Sequence, residues 1–412
     1  MPHKFARRVV ITGLGVISSI GFGWQEFWEN LLAGQNGISE IDYFDTQAYD
    51  RKFAGQVKGF DPKRYISSAR IPHLGRASQL GVAAAHLAVE DAGFFSDELN
   101  SLEDAAVIIG TTMGEPQIME THNARCFQQG LDYHIRPSHV LRYPANHISG
   151  QIAATFGCAG ENLVFGNACA AGNFSMDYAS ALIREGRDVV LSGGVDAFSQ
   201  IAFTGFHRLV SIADGRCRPF DKNRSGMIPA EGAAILVLEE REHARRRGAR
   251  IYAEVLGCGT ASDAYHMTRP HSRGGVKAVT RALQASGVSA DEVDYISAHG
   301  TGTPENDKVE CEVFHTVFGK RIHDIPVSSI KSMLGHALGA ASALESVVCC
   351  LSIREGKIPP TINYETPDPE CDIDCVPNHY RNHRVRVALN NALAFGGNDA
   401  CLVLADEAYY DA

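Results

Sequence analysis

Apolar and β-branched residues run almost without interruption from Val9 to Ile20 (VVITGLGVISSI), which predicts a buried strand passing into a glycine turn; a helix follows around Trp24 to Ala33. The alternation then repeats, with a helix near Leu80 to Ala92, strands at Ala105–Ile109 and Asn162–Phe165, a helix over Gly172–Arg184 and a strand at Asp188–Gly193. That order is an α/β pattern. From Tyr252 a comparable series begins: a strand (YAEVLGCG), a loop (SDAYHMT), a helix through Val276–Ala285 and a strand at Val293–Ala298. A helix around Lys308–Phe318, a short strand Val327–Ser329, a small-residue helix Gly339–Arg354 and strands near Val385–Leu393 and Cys401–Ala405 complete it. The pattern predicts two similar halves, residues 1–251 and 252–412. No Pro-, Ser- or Gly-rich stretch separates them, so they are expected to share one continuous core.

The composition narrows the function classes. At 412 residues, with 45% hydrophobic and 21% charged, the chain has ample material for a large core and no signature of disorder. Its net charge of −10, spread without long single-sign blocks, is the wrong balance for a nucleic-acid surface. No apolar stretch reaches the ~20 residues needed to span a bilayer, and the basic opening, MPHKFARRVVITG, runs into a strand instead of a cleavable signal. A cytoplasmic location is expected. Eleven cysteines at irregular spacings, with no CxxC pair, read as reduced thiols and argue against structural zinc. Cys349 and Cys350 are adjacent in an apolar helix, and Cys371 and Cys375 flank acidic residues. The 17 histidines include no HExxH pair. Gly13 and Gly15 form a GxG without the third glycine or the later acidic residue of a dinucleotide fingerprint.

Three short settings carry the candidate chemistry. In NLVFGNACAAGNFSMDYASALIREG a strand runs into Gly166-Asn167-Ala168-Cys169, and a helix of small residues follows at once. A cysteine on such a turn, at a helix N-terminus, is biased toward its thiolate, and the free N–H groups there can hold an oxyanion. His299 closes an apolar strand ahead of the loop Gly300-Thr301-Gly302-Thr303-Pro304. His336 lies between a strand and the small-residue helix. Both histidines sit at carboxyl ends of strands, the edge at which α/β sheets bind ligands.

Taken together, Cys169 in NACAAGN, His299 in AHGTGTPENDKVE, Lys331 and His336 in SSIKSMLGHALGAASALE, and the loop Phe395-Gly396-Gly397-Asn398 resemble the β-ketoacyl-acyl carrier protein synthases over essentially the whole chain. The Cys-His-His set is similar to that of the elongating members. The resemblance implies a thiolase-like fold of two halves stacked as a five-layered αβαβα core. It implies that Cys169 takes an acyl chain from an acyl carrier protein, with the oxyanion held by the N–H groups of Cys169 and Phe395. His299 and His336 then stabilise the enolate formed as malonyl-carrier protein loses CO2, and that carbanion attacks the acyl-Cys169 thioester. No metal and no cofactor is implied, the substrates being carried on phosphopantetheine. Lys331 matches the active-site lysine, with Glu345 and Glu310 in its charge network. Thr301 and Thr303 match residues that bond the pantetheine arm, Phe395 matches a gate made mobile by Gly396 and Gly397, and Met113 falls at an acyl-pocket position.

The chain also departs from the pattern of the fatty-acid enzymes. It has AFGGND where they have GFGGTN, Asn-Ala before the cysteine where they have Thr-Ala, and a more polar stretch, HIRPSHVLRYPANH, where they carry phenylalanine. AEGAA, SSIKSM and PDPECDIDCVP resemble the ketosynthase subunit of type II polyketide systems. The reading therefore leans toward a specialised polyketide or unusual-acyl pathway, with the chain as a homodimer or as a heterodimer with a chain-length-factor-like subunit. Carrier docking is expected at Arg208, and then at Arg70 and His73, because the carrier is acidic. Two other readings remain: a non-condensing subunit that shapes a partner's tunnel, and a thiolase-type enzyme on coenzyme A esters, which would need a second cysteine in a setting that Cys401 lacks.

Overall fold

A computed structural model describes residues 7–94, 101–130 and 137–411. Residues 1–6, most of the basic opening, and 134–136, at the head of the polar stretch, lie outside the described residues. Ten strands form the body of one 11-stranded sheet: β1 (Val9–Ser18), β2 (Ala106–Gly110), β3 (Asn162–Phe165), β4 (Val189–Asp196), β5 (Gly232–Glu240), β6 (Ala253–Ser262), β7 (Tyr295–Ser297), β8 (Val327–Ser328), β9 (Val387–Ala394) and β10 (Asn398–Ala405). Their order, β8-β7-β9-β10-β6-β1-β5-β4-β2-β3, is a repeat read outward from its middle. In each half the first strand pairs antiparallel with the last, the last antiparallel with its predecessor, and the remaining pairs are parallel. The halves meet where β1 and β6 pair at Val10–Glu254 and Ile11–Ala253, beside a buried ion pair of Arg8 with Glu254.

Five helices complete the layers: α1 (Arg76–Asp91), α2 (Ala171–Arg184), α3 (Ser272–Ser286), α4 (Pro304–Phe318) and α5 (Ala341–Glu355). α2 and α5 touch one another and strands of both halves, so they form the middle layer; α1 covers β1 and β5 on one outer face, and α3 covers β6 and β10 on the other. The sequence explains this placement. α5 is buried along nearly its whole length, as an all-round apolar helix must be, and β4 and β5 are buried at every residue, as strands covered on both faces are.

Two expectations change. Gly13 and Gly15 are not a turn: β1 runs straight through them. A Cβ at Gly15 would stand 1.8 Å from the Ala84 carbonyl oxygen, and one at Gly13 would stand 2.2 Å from that of Ala88. The glycines let α1 lie against the strand. The pattern also passed over β5 and the helices Pro116–Gln129, Asn146–Phe156 and Gln200–Arg208. Among the described residues, no helix is long and apolar enough to cross a membrane.

Candidate active site

The repeat brings two equivalent turns to the centre. Ahead of α2 the chain makes a 3-10 turn over Ala168–Ala170, and ahead of α5 another over Leu338–Ala340. Each opens on a non-glycine residue in the left-handed region, Ala168 (φ 48°) and Leu338 (φ 50°), a conformation that costs energy and recurs at functional turns. The first turn exposes Cys169 to a cavity, and His336 lies two residues before the second.

Cys169, His299 and His336 are all buried, and the sulfur and one ring nitrogen of each histidine lie within 4.8 Å of one another. The two imidazoles stand nearly perpendicular, with centroids 5.2 Å apart. His336 Nδ1 accepts from the Leu338 N–H at 3.2 Å. An accepting nitrogen carries no proton, so in the neutral ring the proton is on Nε2. Burial first, then the Lys331 charge, hold both histidines well below the ordinary imidazole range, His336 adding to the effect on His299. The rings are therefore neutral. His336 offers its free side as a proton donor in place of a lone pair, which suits a developing oxyanion better than a cation.

The cysteine differs from its expected state. Burial pushes its thiol up to about 11, outweighing the Lys331 charge and the backbone N–H groups of Phe395 and Cys169, which pull the other way; Asp196 adds to the rise. Before substrate binds it is a thiol and not a thiolate. Those same two N–H groups, aimed at the sulfur, are the pair expected to hold the oxyanion.

Lys331 is 1% exposed and paired with Glu345, also 1% exposed, whose carboxyl burial raises to about 7 against the pull of the lysine. Glu310 is a separate device. It accepts from the His299 and Gly300 backbone N–H groups and from Asn391 Nδ2, each at 2.7 Å, and so fixes the histidine's loop. Burial raises it too to about 7. Thr303 caps α4 through the Asn306 N–H, and its hydroxyl lies 2.9 Å from that of Thr301.

A cavity of about 280 Å³ opens on this group. Cys169, both histidines, Thr301, Thr303, Phe395 and Gly397 line it, as do Phe206, Leu209, Val210 and Met267 nearer its mouth. Phe395 is 37% exposed, with its ring 5.9 Å from that of Phe206. The turn that carries it has left-handed glycines, Gly396 (φ 77°) and Gly397 (φ 70°). Met113 is half-buried and does not line this cavity; its N–H donates to Asp196. Arg208 is exposed beside the lining residue Leu209. Arg70 is spent on its own chain, donating to Thr155 and Gln151 at 3.0 Å, and His73 is exposed on a 3-10 turn. Cys401 is fully buried within β10 and does not line the cavity, its thiol pushed far up by burial.

The sequence reading missed Asp196. Its carboxylate, 0% exposed, accepts from Thr111 Oγ1, from the Thr112 and Met113 N–H groups and from the Gly339 N–H at 2.6 Å, joining the end of β2 to the turn before α5. An acidic residue closing the apolar strand VVLSGGVD was the available signal. Asn391 and Asp263 were missed as well. Asp263 receives the Tyr265 and His271 N–H groups, and its own N–H donates to Gly397 O.

The N-terminal domain of the beta-ketoacyl synthase family matches residues 6–244 and its C-terminal domain residues 252–365. The chain is 38% identical to a 3-oxoacyl-[acyl-carrier-protein] synthase 2 of Synechocystis, over 98% of this chain and 99% of that one. It is 40% identical to the ketoacyl synthase alpha subunit of the tetracenomycin polyketide synthase of Streptomyces glaucescens, over 98% of each. The solved ishigamide ketosynthase/chain length factor superposes with a TM-score of 0.93 at 44% identity, covering 97% of this chain and 99% of that one.

Proposed function

This chain belongs to the beta-ketoacyl synthase family and is an acyltransferase of the elongating, condensing kind, and we propose that Cys169, His299 and His336 carry its two half-reactions on carrier-bound substrates. In the first, Cys169 Sγ attacks the acyl thioester, the oxyanion forms against the N–H groups of Cys169 and Phe395, and the carrier's thiol leaves with the proton that the cysteine gives up. Proton count is unchanged, so a thiol with a high pKa suffices as the resting form.

In the second, malonyl-carrier protein loses CO2, and its thioester oxygen takes up the negative charge. Two neutral imidazoles can donate to that oxygen without a metal or cofactor. The enolate carbon then attacks the acyl-Cys169 carbonyl; Cys169 leaves as thiolate and takes one proton, and the carrier departs with a β-ketoacyl chain two carbons longer. Lys331 and Glu345 hold the field around the histidines, Glu310 positions the His299 loop, and Thr301 and Thr303 take the pantetheine arm. Met113 is proposed at the acyl-pocket end, outside the cavity described.

The pathway we propose is a specialised polyketide or unusual-acyl one, supported by the 44% identity to the ishigamide ketosynthase/chain length factor. The partners are an acidic acyl carrier protein, met by Arg208 and the exposed His73, with Arg70 less available, and a second subunit of the same fold. β3 supports the second: it ends the sheet with Leu163 39% exposed, and Tyr178 nearby is 38% exposed. An apolar sheet edge left open invites pairing. A chain-length-factor-like subunit would cover it, or else a second copy. Eleven free thiols agree with a cytoplasmic setting.

One observation carries this reading, the convergence of a buried cysteine and two neutral histidines on one cavity. Intact mass of the protein, alone and coexpressed with candidate subunits, after incubation with a panel of acyl carrier proteins, tests it. Acylation at Cys169 is expected, and it is expected to be lost in Cys169→Ala together with condensation. Acylation only within a heterodimer, or only by polyketide or polyene chains, supports the specialised pathway; a homodimer acylated by saturated chains places it in fatty-acid elongation.

A further inference from the structure

We propose that Asn398 is a positioning residue that ties the gating turn to the nucleophile turn through Asn167, and that this bridge keeps malonyl decarboxylation from running ahead of acylation; the proposal rests on reading Phe395 as the gate. The turn Phe395–Gly397 is fastened on its outer side by main-chain bonds alone, from the Gly396 N–H to Met267 O at 2.8 Å and from the Asp263 N–H to Gly397 O at 3.1 Å. Toward the cysteine the Phe395 N–H is aimed at the Cys169 sulfur, and one side chain adds a second link. The Asn398 carboxamide accepts from Asn167 Nδ2 at 3.4 Å and, through its own Nδ2, donates to Phe395 O at 3.4 Å. Asn167 leads directly into Ala168, the strained residue, and Cys169.

Three physical points support a bridge that opens. A carboxamide has a donor and an acceptor on one planar group, so it can join an amide N–H to a carbonyl, which a carboxylate of the same size cannot do. Both bonds are at the long limit, and therefore weak, so the joint selects one position of the turn yet breaks at small cost. Two left-handed glycines stand between Phe395 and Asn398, which gives the backbone freedom to move once the bridge parts. The residues involved are also the ones at which this chain departs from the fatty-acid pattern: Asn167 replaces the threonine before Ala-Cys, and Asn398 the threonine after Phe-Gly-Gly. The two departures touch one another.

The test compares two rates in the full-length protein, with its partner subunit if one is required: CO2 release from malonyl-carrier protein with no acyl donor, and acylation of Cys169. The variants are Asn398→Asp, which keeps the size but loses the donor to Phe395 O, Asn167→Ala, the double variant and Phe395→Ala. Each asparagine variant is expected to raise unprimed CO2 release about two- to fivefold relative to its own acylation rate, the rate equivalent of one weak hydrogen bond. The double variant is expected to match the larger single, because both break one bridge. Unprimed release unchanged in both singles, or multiplied in the double, overturns the bridge. Phe395→Ala separates the two ideas: raised release there with unchanged asparagine variants sinks the bridge alone, and unchanged release in all of them sinks the gate as well.

Discussion

Glu310 shows how much of this chemistry depends on groups that never meet the substrate. Its two oxygens take three donors, and two of these are the backbone N–H groups of His299 and Gly300. Glu310→Gln turns one acceptor into an NH2 group facing a backbone N–H, leaving a buried donor unmatched at a cost of about 1–3 kcal/mol. Decarboxylation is expected to fall at least tenfold, acylation of Cys169 much less, because only the histidine's loop is displaced; rapid-quench measurement of the two half-reactions checks this, and equal losses in both would refute the assignment. Cys169, His299, His336 and Lys331 were legible in the sequence because each sits in a short motif at a strand end. Asp196 was not, since its bond to Gly339 spans 143 positions and only the fold makes them neighbours. The protonation of Cys169 was read the wrong way for a related reason: a helix N-terminus is visible in a sequence, whereas the depth of burial that outweighs it is not.

Helices and strands were legible where a run of apolar or small residues ended at a glycine, as β3 does at Gly166, α2 at Gly186 and α5 at Gly356. The errors came where a residue serves another element. Gly13 and Gly15 look like a turn when β1 is read alone, and become strand glycines once α1 lies across them. Gly15→Ala would drive its methyl into the Ala84 carbonyl at 1.8 Å. It is expected to cost about 2 to 3 kcal/mol in chemical denaturation, while a glycine in a true turn with φ below zero would accept alanine almost freely. A cost within 0.5 kcal/mol would mean that α1 can shift away. β5 escaped notice because its run, GAAILVLEE, passes straight into the charged helix REHARR with no turn residue to end it. The repeated pair of turns before α2 and α5 was invisible as well, since Ala168–Ala170 and Leu338–Ala340 share a backbone path and little sequence.

Over the whole molecule, five layers bury carboxyls far from water, and this sets how stability responds to pH. Burial raises Glu310 and Glu345 to about 7, and it raises Asp399, beside Asp263, to about 8. In the unfolded chain such groups titrate near 4. Between those values the folded state holds the extra protons, so these groups make stability fall as pH rises. His299 and His336 act in the opposite sense, since the unfolded chain binds their protons below about 6.5 and their contribution climbs until that pH is passed. The carboxylates held below their ordinary range, Asp42 and Glu161 among them, have finished titrating by then. From pH 7 the raised carboxyls continue the fall, and buried thiols such as Cys169 join it as pH nears the ~8.5 at which a cysteine of the unfolded chain ionises. Three raised carboxyls outweigh two histidines between about pH 5 and 6.5, so the free energy of unfolding is expected to peak near pH ~5 and to fall steadily from there to pH 9. Asp399→Asn cannot take up the charge, so it should make the fall from pH 6 to 9 shallower by about 2 to 3 kcal/mol, one proton's ~1.4 kcal/mol per pH unit up to a folded pKa of about 8. Urea denaturation of both proteins at pH 6, 7.5 and 9 decides the matter: parallel curves would show that Asp399 ionises freely in the folded state, and that the joint between β10 and Asp263 is open to water.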